Sequence, residues 1–458
     1  MPATALATQP LDTFLAGGHE ANFDARVQEA VALQRSWESD AALGRILPTF
    51  TATGRYTRNE IERVLPAGSF GAGSPEVPLQ LHDQLDGTLQ LDVPIIDLAG
   101  YYRYRQAQHI AKSADAGRAQ TNADVDKLVA RQYYLFLGTE ALVTAAENTV
   151  RIANDNLDLV RIKKESGTAT ELDVQRAVAN VERYNQDLAD AKLARTLASR
   201  QLQTLTGITP EAVQAYPVDD LHHEAPLEAW IEVKDTPSDR VQRALLDAAA
   251  AGKKAAAFSL LPTLAGSANE RFTNVSGLVG ASNYYTLSLT ATWRLDYGTY
   301  SQAQASSYAA QASAVQAERQ RRGLEDSIYD AYQRVEAGIV KSASARAQAD
   351  AARIASDLAL ERYRAGALTQ LDVTAAQRDQ FQAVASRIQA DADLAYQRVA
   401  LRVVAGKTPN YQPAGFTAEG SNERTETLEK PEAPTTPATN PSAPPTSTTT
   451  PSTTPQTP

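Results

Sequence analysis

Polar and apolar positions along the chain follow two periods, and the switches between them mark out its elements. From Asn22 to Arg45 apolar residues recur at helical spacing, until Leu47-Pro48 stops the helix. Thr49 to Tyr56 alternates strictly, with Phe50, Ala52, Gly54 and Tyr56 on one face and Thr49, Thr51, Thr53 and Arg55 on the other. A Pro- and Gly-rich stretch from Leu65 to Pro78 predicts a long exposed loop, and alternation resumes over Thr88 to Val93, so residues 49–96 read as one β-hairpin. After Asp97, a candidate cap, helical patterning continues without proline from Leu98 to Ser166, about 100 Å if unbroken. Ala146, Val150, Ala153, Leu157 and Val160 recur at 4-3-4-3 spacing, a coiled-coil seam. Val181, Tyr184, Leu188, Ala191, Ala198, Leu202 and Leu205 carry a similar stripe, interrupted by Arg195, on a return helix ending near residue 206. The two helices are expected to pack as an antiparallel pair.

This plan occurs twice. A shift of 199 residues lays Gly167–Pro210 onto Gly366–Pro409 with 11 identities in 44 positions, among them Gly167/Gly366, Thr170/Thr369, Leu172/Leu371 and Asp173/Asp372. Each copy reads as a helix stop at Gly, a tight turn and a capped restart, which is a hairpin tip. The tip turns fall at 167–173 and 365–372. Repeat 1 covers 22–210 and repeat 2 covers 238–409, with a segment 1–21 before them, a connector 211–237 between them and a tail 410–458 after them. Repeat 2 comprises a helix over Asp239–Leu260, a stop at Leu261-Pro262, a β-hairpin over 263–297, a long helix over 300–364 and a return helix to 405. From Pro431 the tail is almost wholly Pro, Thr and Ser with small residues, a composition that buries no core and predicts disorder.

The clearest strand pattern runs from Tyr285 to Tyr297. Tyr285, Leu287, Leu289, Trp293, Leu295 and Tyr297 share one face with Ala291, and Thr, Ser, Arg and Asp fill the other. Alternation of this length with aromatics at its ends suits a barrel strand facing lipid, where about 9–11 residues cross a bilayer; a soluble sheet with one wet face is the alternative.

Composition narrows the class. Hydrophobic residues make up 43% but aromatics only 7%, which favours long helices over dense globular cores. The absence of Cys excludes disulfides, thiol catalysis and Cys-ligated zinc. A net charge of −10 with scattered basic residues argues against nucleic acid as a partner. No run of 18 apolar residues offers a transmembrane helix, and the opening MPATALATQPLDTF has neither the charged nor the apolar part of a signal peptide. Read alone, that leaves a cytoplasmic protein or a chain that starts near a mature end. His19, His82, His109, His222 and His223 have no metal-ligand spacing, and no phosphate loop, nucleophile elbow or carboxylate pair stands out, so the expectation is no cofactor, no metal and no catalytic residue.

The two Leu-Pro stops, the two Asp residues at strand ends and the duplicated G-x-x-T-x-L-D-V-x-x-A and G-x-T-P segments resemble the TolC family of outer-membrane efflux and secretion channels over roughly residues 10–415. The resemblance implies a mainly α fold with a small β part: long coiled-coil helices forming an α-barrel, plus four strands per chain in a 12-stranded transmembrane β-barrel of a homotrimer. It implies outer-membrane lipid around the barrel, a periplasmic extension, and docking of the tips onto a periplasmic adaptor, or membrane fusion protein, coupled to an inner-membrane pump. Independently, four strands cannot close a barrel, and open edges in lipid leave backbone groups unpaired. Asp173 and Asp372 are helix caps or, summed over three copies, a ring of six carboxylates at the narrow end. On the resemblance, Tyr363 donates a hydrogen bond to Asp173 and latches the tip. Gly167, Thr170, Leu172, Gly366, Leu368, Thr369 and Leu371 meet the adaptor, unless the leucines simply begin the core seam. A soluble periplasmic or cytoplasmic coiled-coil scaffold is the competing reading.

Overall fold

The computed structural model describes residues 9–211, 215–231, 235–411 and 424–427, the side chains of 215–218 and 424–427 excepted. In chain order the elements are α1 (Leu11–Ala21), α2 (Phe23–Gly44), β1 (Thr49–Arg58), β2 (Arg63–Leu65), β3 (Val77–Gln80), β4 (Asp83–Ile96), α3 (Leu98–Glu165) and α4 (Glu171–Thr206). Then follow β5 (Ala215–Val218), α5 (Leu227–Ile231), α6 (Pro237–Phe258), β6 (Thr263–Thr273), β7 (Asn283–Thr292), α7 (Tyr297–Arg364), α8 (Gln370–Val404) and β8 (Arg424–Thr427).

The duplication is closer in space than in sequence. Both long helices have 68 residues, and an offset of 199 carries the ends of α3 onto those of α7. Both short helices have 22 residues, and an offset of 214 carries α2 onto α6 and the start of β1 onto that of β6. The two offsets differ because residues 59–82, between β1 and β4, outnumber 274–282, between β6 and β7. The caps match as well: Asp97 and Asp296 each accept a hydrogen bond from the backbone N–H three residues on.

Four strands form one antiparallel sheet in the order β1-β4-β6-β7, so the hairpins of the two repeats join through β4 and β6. Cross-strand partners point to the same side, which collects Phe50, Leu91, Ala268 and Leu287 on one face and Thr51, Gln90, Asn269 and Thr286 on the other. The helices beneath keep the same order, with α2 on α3, α3 on α6 and α6 on α7. Below that layer the two hairpins α3-α4 and α7-α8 pack as the expected antiparallel pairs, and Ala153, Leu157, Val160, Val181 and Tyr184 are buried in one cluster.

Several expectations need correction. The strand read as 285–297 ends at Thr292, because Asp296 accepts from the Thr299 N–H at 2.8 Å and starts α7 at Tyr297 rather than 300. Trp293 and Leu295 therefore lie in the link and Tyr297 in the helix. The loop 65–78 is bracketed by a ribbon of β2 on β3. Helix α6 begins at Pro237, since Thr236 caps it and Asp239 closes the capping box. In the tail 410–458, Arg424–Thr427 pair with Ala215–Val218 of the connector; these residues precede the Pro/Thr/Ser run, which lies outside the described residues.

The segment 1–21 contains an unexpected helix, α1. Gly17 and Gly18 let it lie flush: a Cβ on Gly18 would stand 2.9 Å from Val129 Cγ2, and one on Gly17 2.7 Å from the Thr206 carbonyl. Phe14 and Leu15 thereby fill a core with Val129, Phe136 and Leu202 of repeat 1. The equivalent core of repeat 2, with Ile328, Val335 and Leu401, is filled instead by Ala225 and Trp230 of the connector. At one matched pair the repeats diverge chemically: Glu140 accepts from Arg195 Nε at 2.5 Å in repeat 1, where repeat 2 packs Ile339 and Leu394.

Candidate functional site

The two tips are built alike. Each long helix closes with a pair of hydrogen bonds onto its last turn, Thr168 N to Lys163 O at 2.8 Å and Gly167 N to Lys164 O at 3.0 Å in the first tip. The second repeats them with Ala367 N to Arg362 O at 2.8 Å and Gly366 N to Tyr363 O at 3.1 Å. This closure requires a left-handed residue, and Gly167 and Gly366 sit at φ +78° and +79° with no atom near where a Cβ would stand. Conformation, not space, selects glycine there.

The chain restarts at Thr170 and Thr369 as capping boxes. Asp173 Oδ2 accepts from the Thr170 N–H at 3.0 Å and its hydroxyl at 2.7 Å; Asp372 Oδ2 accepts from the Thr369 N–H at 2.9 Å and its hydroxyl at 2.6 Å. These bonds favour the charged form and hold both carboxyls below the usual Asp range, the Thr170 backbone N–H leading for Asp173 and the Thr369 hydroxyl for Asp372. Within one chain both acids are therefore ionised caps. Leu172 and Leu371 are 57% and 59% exposed, outside the seam, whereas Leu368 packs half-buried on the tip core.

Tyr363 does not make the expected bond to Asp173. Its ring is buried among Val160, Val174 and Val373, its hydroxyl has no hydrogen-bond partner among the described residues, and Asp173 Oδ2 is engaged by Thr170. Burial first, and then the nearby Asp173 charge, push the Tyr363 hydroxyl pKa up. What holds Tyr363 is Lys163 of the other hairpin, which the sequence reading missed. Its ammonium lies 4.1 Å from the ring centroid and donates to the Tyr363 carbonyl. A lysine in the last turn of α3 was the available signal, but its partner is 200 residues away. Gln370 and Asn180 were missed too: Gln370 is buried and its amide has no partner among the described residues, and Asn180 donates to Gln377 at 3.4 Å across the hairpins.

A second polar cluster pins the connector. Arg398, its side chain 5% exposed, donates to Asp219 at 2.7 and 3.0 Å, to Glu224 at 2.7 Å and to the His222 carbonyl at 2.7 Å. Arg346 donates to Asp391 and to the Asp219 carbonyl, which ties α7, α8 and the connector together. Asp219, Asp220 and His222 bring three ligand-type atoms within 4.8 Å of one another, but the Arg398 guanidinium already supplies the positive charge there. The sheet, finally, exposes Tyr285, Leu287 and Leu289 on its apolar face, Leu287 at 71% and Leu289 at 67%. Trp293, also exposed, donates its indole N–H to the Leu260 carbonyl at 3.0 Å.

Comparison with known proteins matches this architecture. The outer membrane efflux protein family profile fits residues 22–208 and 236–407. Over 238 residues the chain is 26% identical to the toluene efflux pump outer membrane protein TtgC and the antibiotic efflux pump outer membrane protein ArpC, both of Pseudomonas putida. That match takes in 49% of this chain and 46% of each relative, so the chain spans about half the length of the curated relatives it matches. Among solved structures, the Campylobacter jejuni CmeC outer membrane channel superposes with a TM-score of 0.74 at 16% identity, over 88% of this chain and 86% of that one. The Vibrio cholerae outer membrane protein VceC superposes at 0.73 with 14% identity, over 87% and 96%. These structures share the fold, and the profile covers both repeats: the chain belongs to the outer membrane efflux protein family.

Proposed function

We propose that the chain is the outer-membrane channel of a tripartite efflux or type I secretion system. It acts as a passive homotrimeric conduit with no catalytic residue, coupled through a periplasmic adaptor to an inner-membrane pump. The observation that carries this reading is the sheet: four strands with one exposed apolar face, one polar face and two unpaired edges, continued by helices about 100 Å long. Open edges are not tolerated in hydrocarbon. Two copies would give an eight-stranded barrel, which side chains fill; three give 12 strands and room for a duct. The face with Leu287 and Leu289 meets lipid, the threonine-rich face lines the pore, and Glu270 shares its row with Tyr285 at the level of an aromatic girdle.

At the other end, three copies bring six carboxylates of Asp173 and Asp372 to the narrow mouth, a ring that favours cations. Exposed Leu172 and Leu371, beside the glycine turns, offer apolar contacts to the adaptor. In this arrangement Tyr363 anchors the tip core rather than latching it. A soluble coiled-coil scaffold would leave Leu287 and Leu289 in water without a partner. Envelope fractionation tests the choice: the conduit fractionates with the outer membrane, runs as a heat-modifiable trimer and conducts ions in a planar bilayer. Leu289→Arg costs about 2–4 kcal/mol at mid-membrane depth and depletes the trimer. Recovery of wild-type protein as a soluble monomer would sink the proposal.

A further inference from the structure

Two faces of the chain are left open, on opposite edges of one layer. β1 and β7 are the sheet edges, and α2 and α7 are the edge helices below them. Helix α2 exposes Val27, Leu33 and Trp37, and α7 exposes Tyr300, Tyr308 and Val315. Inside the chain, the repeats meet through β4 on β6 and α3 on α6. The offset of 199 equates α3 with α7, and that of 214 equates α6 with α2 and β6 with β1. The open faces are thus the equivalents of the two that meet at the centre of the chain.

The equivalence reaches single residues. His109 of α3 lies 3.7 Å from Asp247 of α6, and the offsets convert that pair into Tyr308 and Leu33, which are 67% and 58% exposed. In the strands, the apolar row Leu89, Leu91, Val93 corresponds to Leu287, Leu289, Ala291; the offset there is 198, and the link 293–296 restores the missing residue before the cap. The central pairs Leu89↔Glu270, Leu91↔Ala268 and Asp92↔Ser267 then become Leu287↔Tyr56, Leu289↔Gly54 and Thr290↔Thr53. This register aligns apolar face with apolar face, whereas a slip of one residue would set one of Leu287 and Leu289 beside Arg55 and the other beside Thr53 or Thr57.

We infer that β7 and α7 of one copy seat on β1 and α2 of a second copy in this register, with Thr290 opposite the partner's Thr53 and Tyr308 against the partner's Leu33. The inference rests on the channel reading and adds which residues meet. The contact repeats the chain's own central junction, so successive copies extend the sheet and the helical layer without a new kind of interface.

The chain contains no cysteine, so introduced pairs report cleanly. Thr290→Cys with Thr53→Cys is made in the full chain and oxidised mildly in cell envelopes; separately Tyr308→Cys with Leu33→Cys, equivalent to a pair that meets through its side-chain tips, is treated with a short bis-maleimide, and both are run on non-reducing gels. Directly opposed strand residues lie about 4.5–5.5 Å apart at Cα, within disulfide reach of about 4.4–6.8 Å, while diagonal neighbours at about 7–8 Å lie beyond it. Both pairs should give covalent dimer and trimer, and Thr290→Cys with Thr51→Cys or with Arg55→Cys should stay monomeric. Cross-linking by an off-register pair, or none by either on-register pair, overturns the inference. The native mass of the detergent-extracted wild type separates the failures: an intact oligomer refutes the register alone, a monomer refutes the channel reading with it.

Discussion

Replacing Arg398 with methionine keeps most of the side-chain volume and removes a guanidinium that bridges Asp219 and Glu224. Their side chains are 12% and 2% exposed, so neither carboxylate gains much water in exchange. Breaking a buried pair by deleting one partner costs about 3–5 kcal/mol, chiefly from the stranded charge. Arg402 remains 3.6 Å from Glu224 and offsets part of that, which places the expected cost near the lower end, about 3 kcal/mol. The connector is what comes loose, because Arg398 holds it through Asp219, Glu224 and the His222 carbonyl, while Trp230 keeps its own core contacts. With each 1.4 kcal/mol worth tenfold, the open population of this segment rises about a hundredfold. Hydrogen exchange of peptides from residues 219–231 reads that rise directly. Because the penalty is stranded charge, Arg398→Met combined with Asp219→Asn and Glu224→Gln should restore most of the protection. Unchanged exchange in Arg398→Met, or no recovery in the triple variant, refutes the reasoning.

At the tips, Gly366→Ala should cost about 1–2 kcal/mol, since it forces a Cβ into the left-handed region without any clash; Gly366→Asn should cost less, and thermal melting of the detergent-extracted protein ranks the two. Asp173 and Asp372 have folded pKa values below their unfolded values near about 4. Their capping contribution is therefore complete above the unfolded pKa and is lost as pH falls through the folded one. Melting should be insensitive to these acids between about pH 5 and 7, and carboxyl-carbon NMR should place both midpoints below the ordinary Asp value. Tyr363→Phe removes a buried hydroxyl that has no partner among the described residues and should leave closed-state conductance and melting at or above wild type, whereas Tyr363→Ala empties the tip core and should cost about 3–5 kcal/mol.

Local signals were legible wherever chemistry and geometry coincide within a few residues. The Gly turns, the Thr and Asp caps, the Leu-Pro stops and the seam from Ala146 to Val160 each announce themselves within a turn or two of helix. Signals that depend on distant partners were not. Lys163 holds Tyr363, Arg398 holds the connector and α1 fills the core of repeat 1, and each of these pairs residues far apart in the chain. The Gly17-Gly18 pair serves close approach to Thr206 and Val129, partners that its own neighbours in the chain do not announce. The strand over 285–297 was overextended because Trp293 and Leu295 keep the alternating pattern after Asp296 has begun to organise a helix. The proposed ring of carboxylates depends on other copies and so belongs to neither the sequence nor the single chain.

The equal length of the two long helices, α3 and α7, carries a consequence for how such a protein could change size. If the tips share a mouth as proposed, both arms finish at one level, and trimming a turn from α3 alone would tilt that rim. A viable shortening has to remove matching lengths from α3, α4, α7 and α8 together, in steps that keep every seam facing inward. The linkers at 59–82 and 274–282 bear no such obligation, and their unequal lengths record that freedom.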